Sequence, residues 1–234
     1  MLFRSVGLDF GKVEEISWKD GTGHVVSGGL YLPPDYIAGK KYPLVIQTHG
    51  FDAQGFMIDG YYTTASAAQP LVSKGIVVIQ MNDIFHDSLG TPQEPERAMS
   101  AYENAVEYLD EKGIIDRSRV GLVGFSRTCL YVKYTLTHSS QHFAAAIVAD
   151  GFDGGYLQYF GYGGNLDSEF DSEEESVIGD PPFGNGLLLW LRRSPGFLLD
   201  KVETPLQIQA LAPSSLLGEW EWFLGLERDR KSVV

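Results

Sequence analysis

The sequence predicts an α/β fold: one domain built on a mostly parallel sheet flanked by helices. Three observations predict it. From residue 44 onward, short apolar runs alternate with helical patterns, as parallel strands buried between crossover helices do. Gly124-Phe125-Ser126-Arg127-Thr128 forms a sharp link between one such run and a helical stretch. The 234 residues, 44% of them hydrophobic, suffice for one sizeable core.

The elements follow in order. Val13 to Trp18 alternates apolar and polar residues and reads as a strand. Asp20 to Gly23 is a turn, and Val25 to Leu32 completes a hairpin that Pro33-Pro34 ends. Leu44 to Thr48 is a fully apolar central strand leading into a loop at His49-Gly50-Phe51. Ala65 to Lys74 reads as a helix stopped by Gly75, and Ile76 to Met81 as a buried strand. Glu94 to Lys112 is the strongest helix: Ala98, Ala101, Tyr102, Ala105, Val106 and Leu109 recur at helical steps, and Gly113 is its C-terminal signal. Arg119 to Val123 is a strand, Cys129 to Thr137 a helix, and Ala144 to Ala149 a further strand. Asp150 to Gly164 reads as a loop rich in Gly and aromatics, and Glu169 to Glu175 as a solvated acidic segment. Leu187 to Arg193 is a helix, Pro205 to Ala210 the last strand, and Leu216 to Leu226 the last helix, with Trp220, Phe223 and Leu224 on one face.

A serine on a tight strand-to-helix turn is the nucleophile elbow of α/β-hydrolases. The turn exposes the hydroxyl at the carboxyl end of the strand. The helix start then offers backbone N–H groups to a developing oxyanion. The expected pattern is G-x-S-x-G, and here Thr128 occupies its last position. Ser126 is the candidate nucleophile, and the N–H of Arg127 half of the oxyanion hole. The Arg127 side chain is a candidate to hold a substrate carboxylate or a neighbouring acid.

Several further stretches fall in one order: Gly29-Leu30-Tyr31-Leu32-Pro33-Pro34, Tyr42-Pro43-Leu44-Val45 with His49-Gly50, and Tyr108-Leu109 with Lys112 to Asp116. Arg119-Val120-Gly121 with Gly124-Phe125-Ser126, then Ser194-Pro195, Lys201 and Thr204-Pro205-Leu206, complete the series. In this order and spacing the chain resembles the catalytic domain of the prolyl oligopeptidase family of serine peptidases over nearly its whole length. Gly124 to Thr128, with Pro213-Ser214-Ser215 and Gly218 to Trp222, is most similar to the lasso peptide isopeptidases of that family.

The resemblance implies hydrolysis of peptide or isopeptide bonds through an acyl-enzyme on Ser126. It places His49 where the family carries an oxyanion-hole residue. Members of that family usually carry a β-propeller before this domain; no seven-fold repeat is present here, so the propeller is either lost upstream or absent. The triad order Ser, acid, His leaves only His138 and His142 after Ser126, and both fall too early. The implied His lies past one more strand, beyond Val234. The loop after Ala210 holds no Asp, so Glu219, or next Glu221, is the candidate acid. Two other readings share these residues: an esterase or lipase-like hydrolase with the same elbow, and a non-catalytic protein of the same fold, which Thr128 and the missing Asp motivate.

Composition narrows the partners. A net charge of −13 argues against nucleic acid and anionic membranes as partners; a peptide substrate is the partner that the resemblance implies. No His pair stands at metal-ligand spacing with a third ligand, and Gly161 to Gly164 lacks the Lys-Ser or Lys-Thr of a phosphate loop, so neither metal nor cofactor is expected. Asp150 is a candidate to shape the substrate site, and Tyr156, Tyr159, Phe160 and Tyr162 to line a pocket. Asp229 to Val234 is what GATCGGAAGAGCGTCGTG, a sequencing adapter, encodes, and Met1 to Ser5 fits its complement. Residues 1–5 and 229–234 are therefore read as non-native, and the remainder as a C-terminally truncated single domain.

Overall fold

The computed structural model describes residues 10–52, 67–152, 154–162, 168–211 and 215–229. Seven strands make one sheet: β1 (Lys12–Lys19), β2 (Val25–Leu32), β3 (Tyr42–Gln47), β4 (Val77–Met81), β5 (Ile115–Phe125), β6 (Ala145–Ala149) and β7 (Leu206–Gln209). Their order across the sheet is β1-β2-β4-β3-β5-β6-β7. The hairpin β1–β2 joins antiparallel to β4, and every pairing from β4 through β3, β5 and β6 to β7 is parallel. The predicted architecture therefore holds.

Alternation along the strands supplies two cores. Leu44, Ile46, Val77 and Ile79 face one side, under α2 (Gln93–Glu111) and α3 (Thr128–His138). Val45 and Val78 face the other, against Val72 of α1 (Gln69–Val72) and against Tyr31 and Phe51. All five residues of β4 are buried, in keeping with its reading as a buried strand. The six small and apolar residues of α2 named above are all fully buried, and Gly113 follows that helix at φ 69°.

Four local expectations change. The helix expected over Ala65–Lys74 spans only Gln69–Val72 among the described residues; positions 65 and 66 lie outside them. Asp150 to Gly164 contains a helix, α4 (Tyr156–Tyr162). The i, i+3, i+4 spacing of Tyr156, Tyr159 and Phe160 outweighs the flanking glycines, because these rings pack with Phe183, Trp190 and Phe197. The acidic stretch is part of α5 (Ser168–Ile178). Its Glu174, Val177 and Ile178 are buried at helical spacing, a period that the charge run masked. In α7 (Leu216–Arg228) the inward face is Gly218, Glu219, Trp222 and Leu226. Trp220 and Phe223 stack on each other, with Trp220 50% exposed. The helix α6 (Gly186–Arg193) lies where expected. Among the described residues no helix is long and apolar enough to cross a membrane. The terminal stretches read as non-native fall outside the described residues, apart from Asp229.

Candidate active site

The carboxyl ends of the parallel strands gather the candidate residues on one edge of the sheet. β5 stops at Phe125, α3 begins at Thr128, and between them Ser126 adopts φ 51°. A left-handed backbone costs a residue with a Cβ about 1–2 kcal/mol, so its surroundings must hold it there. Ser126 N–H donates to the Ala149 carbonyl at 3.0 Å, and its own carbonyl accepts from Cys129 N–H at 3.0 Å and Phe152 N–H at 3.2 Å. Gly124 sits in a crowded place: a Cβ there would lie 3.0 Å from Val132 Cγ2 and 3.1 Å from Cys129 Cα, closer than an ordinary contact.

Thr128 is built into the turn. Its fully buried hydroxyl accepts from Phe125 N–H at 3.1 Å and lies 2.8 Å from the Phe125 carbonyl. It also pairs with Thr48 Oγ1 at 2.6 Å, and Thr48 in turn donates to the Val123 carbonyl at 2.9 Å. The side chain that departs from the motif thus ties the end of β3 to the elbow of β5.

Arg127 stands at the N-cap position of α3, where helix geometry leaves N–H groups without intrahelical partners. Its guanidinium makes a two-point ion pair with Glu94, including a 2.7 Å bond to Oε2, and bonds Glu173 of α5. Of the two roles expected for this side chain, the structure places it on neighbouring acids. Glu94, 2% exposed, also accepts from Tyr131 O–H and from Gly90 N–H, so α2, α3 and α5 are locked together beside the serine.

His49, two residues past β3, adopts φ 77°, and Gly50 follows at 111°. The imidazole lies against the ring of Phe125, 5.4 Å between centroids, next to the residue that precedes Ser126. Burial lowers its pKa below the usual histidine value, while a backbone hydrogen bond opposes the shift. Three successive amides of this loop are engaged: His49 N–H on Asp83 Oδ1 at 3.0 Å, Gly50 N–H on the Met81 carbonyl at 2.8 Å, and Phe51 N–H on Asn82 Oδ1 at 2.8 Å. Sequence reading missed Asp83; its position directly after a buried strand, one strand from the elbow, was the available signal.

Three carboxylates sit farther along the same edge. Asp150, at φ 52°, follows β6 and accepts from Leu211 N–H and Ser215 O–H, each at 2.6 Å. Glu219 accepts from Gly151 N–H at 2.9 Å and from Lys133 Nζ at 2.9 Å, in an ion pair with side chains 2% and 0% exposed. Glu221 accepts from Leu157 N–H at 3.0 Å, and burial raises its pKa. The pocket residues Tyr156, Tyr159 and Phe160 form the packed cluster already described, with Phe160 still 56% exposed. Tyr159 O–H is tied to Glu175 at 2.7 Å.

The two histidines after the serine are remote from it. His138 closes α3, twelve residues on, about 18 Å at helical rise. There it stacks on Tyr134 at 3.8 Å and lies 3.2 Å from the Arg192 carbonyl. His142 precedes β6 and is exposed, which puts it at the amino edge of the sheet. Among the described residues no group of three His, Cys, Asp or Glu could hold a metal.

A parallel sheet in this strand order, with a left-handed serine between β5 and α3, defines the α/β-hydrolase fold. The chain matches no family model. It is similar to serine peptidases of the prolyl oligopeptidase type. The lasso peptide isopeptidase AtxE2 of Asticcacaulis excentricus is 28% identical over 241 residues, covering 95% of this chain and 33% of that protein. The solved ligand-free AtxE2 structure superposes with a TM-score of 0.78 at 25% identity, over 97% of this chain and 36% of that one. A serine-to-alanine variant of AtxE2 with Astexin3-dC4 bound gives 0.76 at 24% identity, over 96% and 35%. The acylaminoacyl peptidase of Pyrococcus horikoshii gives 0.74 at 21% identity, over 97% and 36%, a likeness of fold. The chain thus spans about a third of the length of these relatives.

Proposed function

We propose that these residues form the catalytic domain of a serine peptidase that hydrolyses peptide or isopeptide bonds, with Ser126 as acylated nucleophile. The observation that carries the reading is Ser126 itself, held left-handed at the carboxyl edge of the sheet at the start of α3. The similarity to AtxE2 favours a peptide substrate. In this reading Arg127 N–H and His49 flank the carbonyl oxygen as it becomes an oxyanion.

In this reading neither His138 nor His142, both remote from Ser126, is the general base, and the resemblance implies a base beyond these residues. Glu219 is the acid of this reading. A carboxylate offers about four acceptor sites, so one that holds Gly151 N–H and Lys133 can still orient an imidazole. No metal or cofactor enters the reaction as proposed, and an upstream propeller remains part of the proposal for the longer protein.

Two measurements test the reading. In the longer protein, Ser126→Ala lowers peptide hydrolysis by about 10⁴-fold or more; retained turnover overturns the assignment. The 234-residue chain alone hydrolyses activated esters and peptides no faster than its own Ser126→Ala variant. Clear Ser126-dependent turnover there would mean that one of the five histidines present serves as base.

A further inference from the structure

The amides of the His49 loop are spent, and they are spent on one short segment. Residues 49, 50 and 51 bond in turn to the Asp83 side chain, the Met81 main chain and the Asn82 side chain. The end of β4 therefore grips the end of β3 at three consecutive points. With these three backbone donors engaged, the His49 imidazole is the donor that this reading turns toward an oxyanion. The orientation of that ring follows from the left-handed φ of 77° at His49, and the bond that fixes this φ most directly is the one from His49 N–H to Asp83.

Asp83 is equipped for that task. Its side chain is 1% exposed, so the carboxylate is shielded from competing water. Its other oxygen accepts from Tyr102 O–H at 2.6 Å. Tyr102 is fully buried in α2, at the heart of the larger core. The path runs from the rigid α2, through Tyr102 and Asp83, to the His49 backbone. Asn82 steadies Phe51, two residues after His49, and is itself held by a 3.1 Å bond to Ser27 Oγ. Phe51 anchors the loop on its far side, packed on Gly29 of β2 where a Cβ would meet the ring at 2.1 Å.

We infer that Asp83 is a positioning residue for oxyanion stabilisation: with Tyr102 behind it, it holds His49 in the left-handed backbone that aims the imidazole at the carbonyl oxygen. Asp83 touches no substrate and acts through His49. The inference rests on the serine-hydrolase reading of Ser126.

The test uses the 234-residue chain with 2-phenylethaneboronic acid, a transition-state mimic that needs no substrate turnover. The Ser126 oxygen adds to boron and its proton passes to solvent. The tetrahedral borate then carries the negative charge into the oxyanion space. The isosteric amide 3-phenylpropanamide reports ground-state binding. Affinities are measured for the parent chain and for Ser126→Ala, His49→Ala, Asp83→Leu, Asp83→Asn and Tyr102→Phe, each well below its melting temperature.

The expected result is Ser126-dependent borate binding that weakens about tenfold or more in His49→Ala and Asp83→Leu. Asp83→Asn keeps an acceptor for His49 N–H and should lose only about two- to threefold, as should Tyr102→Phe. Amide binding stays unchanged in the variants at residues 83 and 102, a selectivity that a merely structural role would not produce. If Asp83→Leu does not fold, the comparison rests on Tyr102→Phe and Asp83→Asn. Both must then weaken borate binding measurably while leaving the amide alone. Borate affinity equal to the parent in every folded variant at residues 83 and 102 overturns the inference and leaves the serine reading standing. Parent binding no better than Ser126→Ala overturns the serine reading and the inference with it.

Discussion

Replacing Thr128 by Val keeps the shape of the side chain and deletes one hydroxyl from the elbow. The parent oxygen is fully buried, accepts from Phe125 N–H at 3.1 Å, and pairs with Thr48 Oγ1 at 2.6 Å. Packing volume is preserved, so the cost is polar. Phe125 N–H loses its side-chain acceptor, while Thr48 keeps the Val123 carbonyl. Two hydrogen bonds lost, at about 0.5–1.5 kcal/mol each, cost about 1–3 kcal/mol. For a chain of this size, each kcal/mol moves the melting temperature by about 2–4 °C, which gives a fall of about 2–12 °C. Thr128→Gly, which restores the G-x-S-x-G pattern, should lose the same bonds and add the backbone entropy of glycine at a helix start. It is therefore expected to be at least as destabilised as Thr128→Val. Thermal unfolding followed by circular dichroism measures both. A Thr128→Val variant within 1 °C of the parent, or a Thr128→Gly variant more stable than the parent, would refute the view that the threonine is part of the turn's construction.

Other outcomes follow from the same contacts. Gly29→Ala drives a methyl into Phe51, whose ring carbon lies 2.1 Å from the ideal Cβ position; overpacking of this kind costs about 1–3 kcal/mol, and an unchanged melting temperature would contradict it. Lys133→Met leaves Glu219 buried without its counter-charge and is expected to cost about 3–5 kcal/mol. Glu219→Gln alone destabilises as well, by stranding the buried Lys133 ammonium. The double variant recovers most of the loss, and a double-mutant cycle showing simple additivity would rule this coupling out. In the longer protein, Glu219→Gln in the Lys133→Met background separates the two roles of Glu219: a strong fall in kcat marks the triad acid, and preserved kcat moves the search to Glu221 or Asp150. Burial raises the Asp83 carboxyl to about 6, against opposing hydrogen bonds from Tyr102 and His49. A raised acid contributes stability that is full below its unfolded value near 4 and lost as pH rises through about 6. The stability difference between Asp83→Asn and the parent should therefore shift toward the Asn variant between pH 4 and pH 7, by on the order of 3 kcal/mol. A difference independent of pH would show that Asp83 titrates normally.

The order of elements, the parallel sheet, the elbow at Ser126 and the helical face of α2 were legible in the sequence, because each depends on short-range periodicity and on residues adjacent in the chain. Val77 to Met81 reads as a buried strand because every side chain meets protein on both faces. Gly124 reads as part of the elbow because its neighbours along the chain fold back over it. What only the tertiary structure decided lies in contacts between distant segments. Thr128 departs from the expected pattern until Thr48, eighty residues earlier in the chain, supplies a partner for its hydroxyl. Glu94 and Glu173 look like solvated acids until the fold brings Arg127 between them. The acidic α5 shows its buried face only against α4 and α6, where the apolar period outweighs the charge. Asp83 carried no local motif; its role comes from β3 and β4 ending side by side, so that one strand's carboxylate meets the other's left-handed amide. A side chain's electrostatic partner is chosen by the sheet's register rather than by its neighbours in sequence, and that register exists only once the strands have paired.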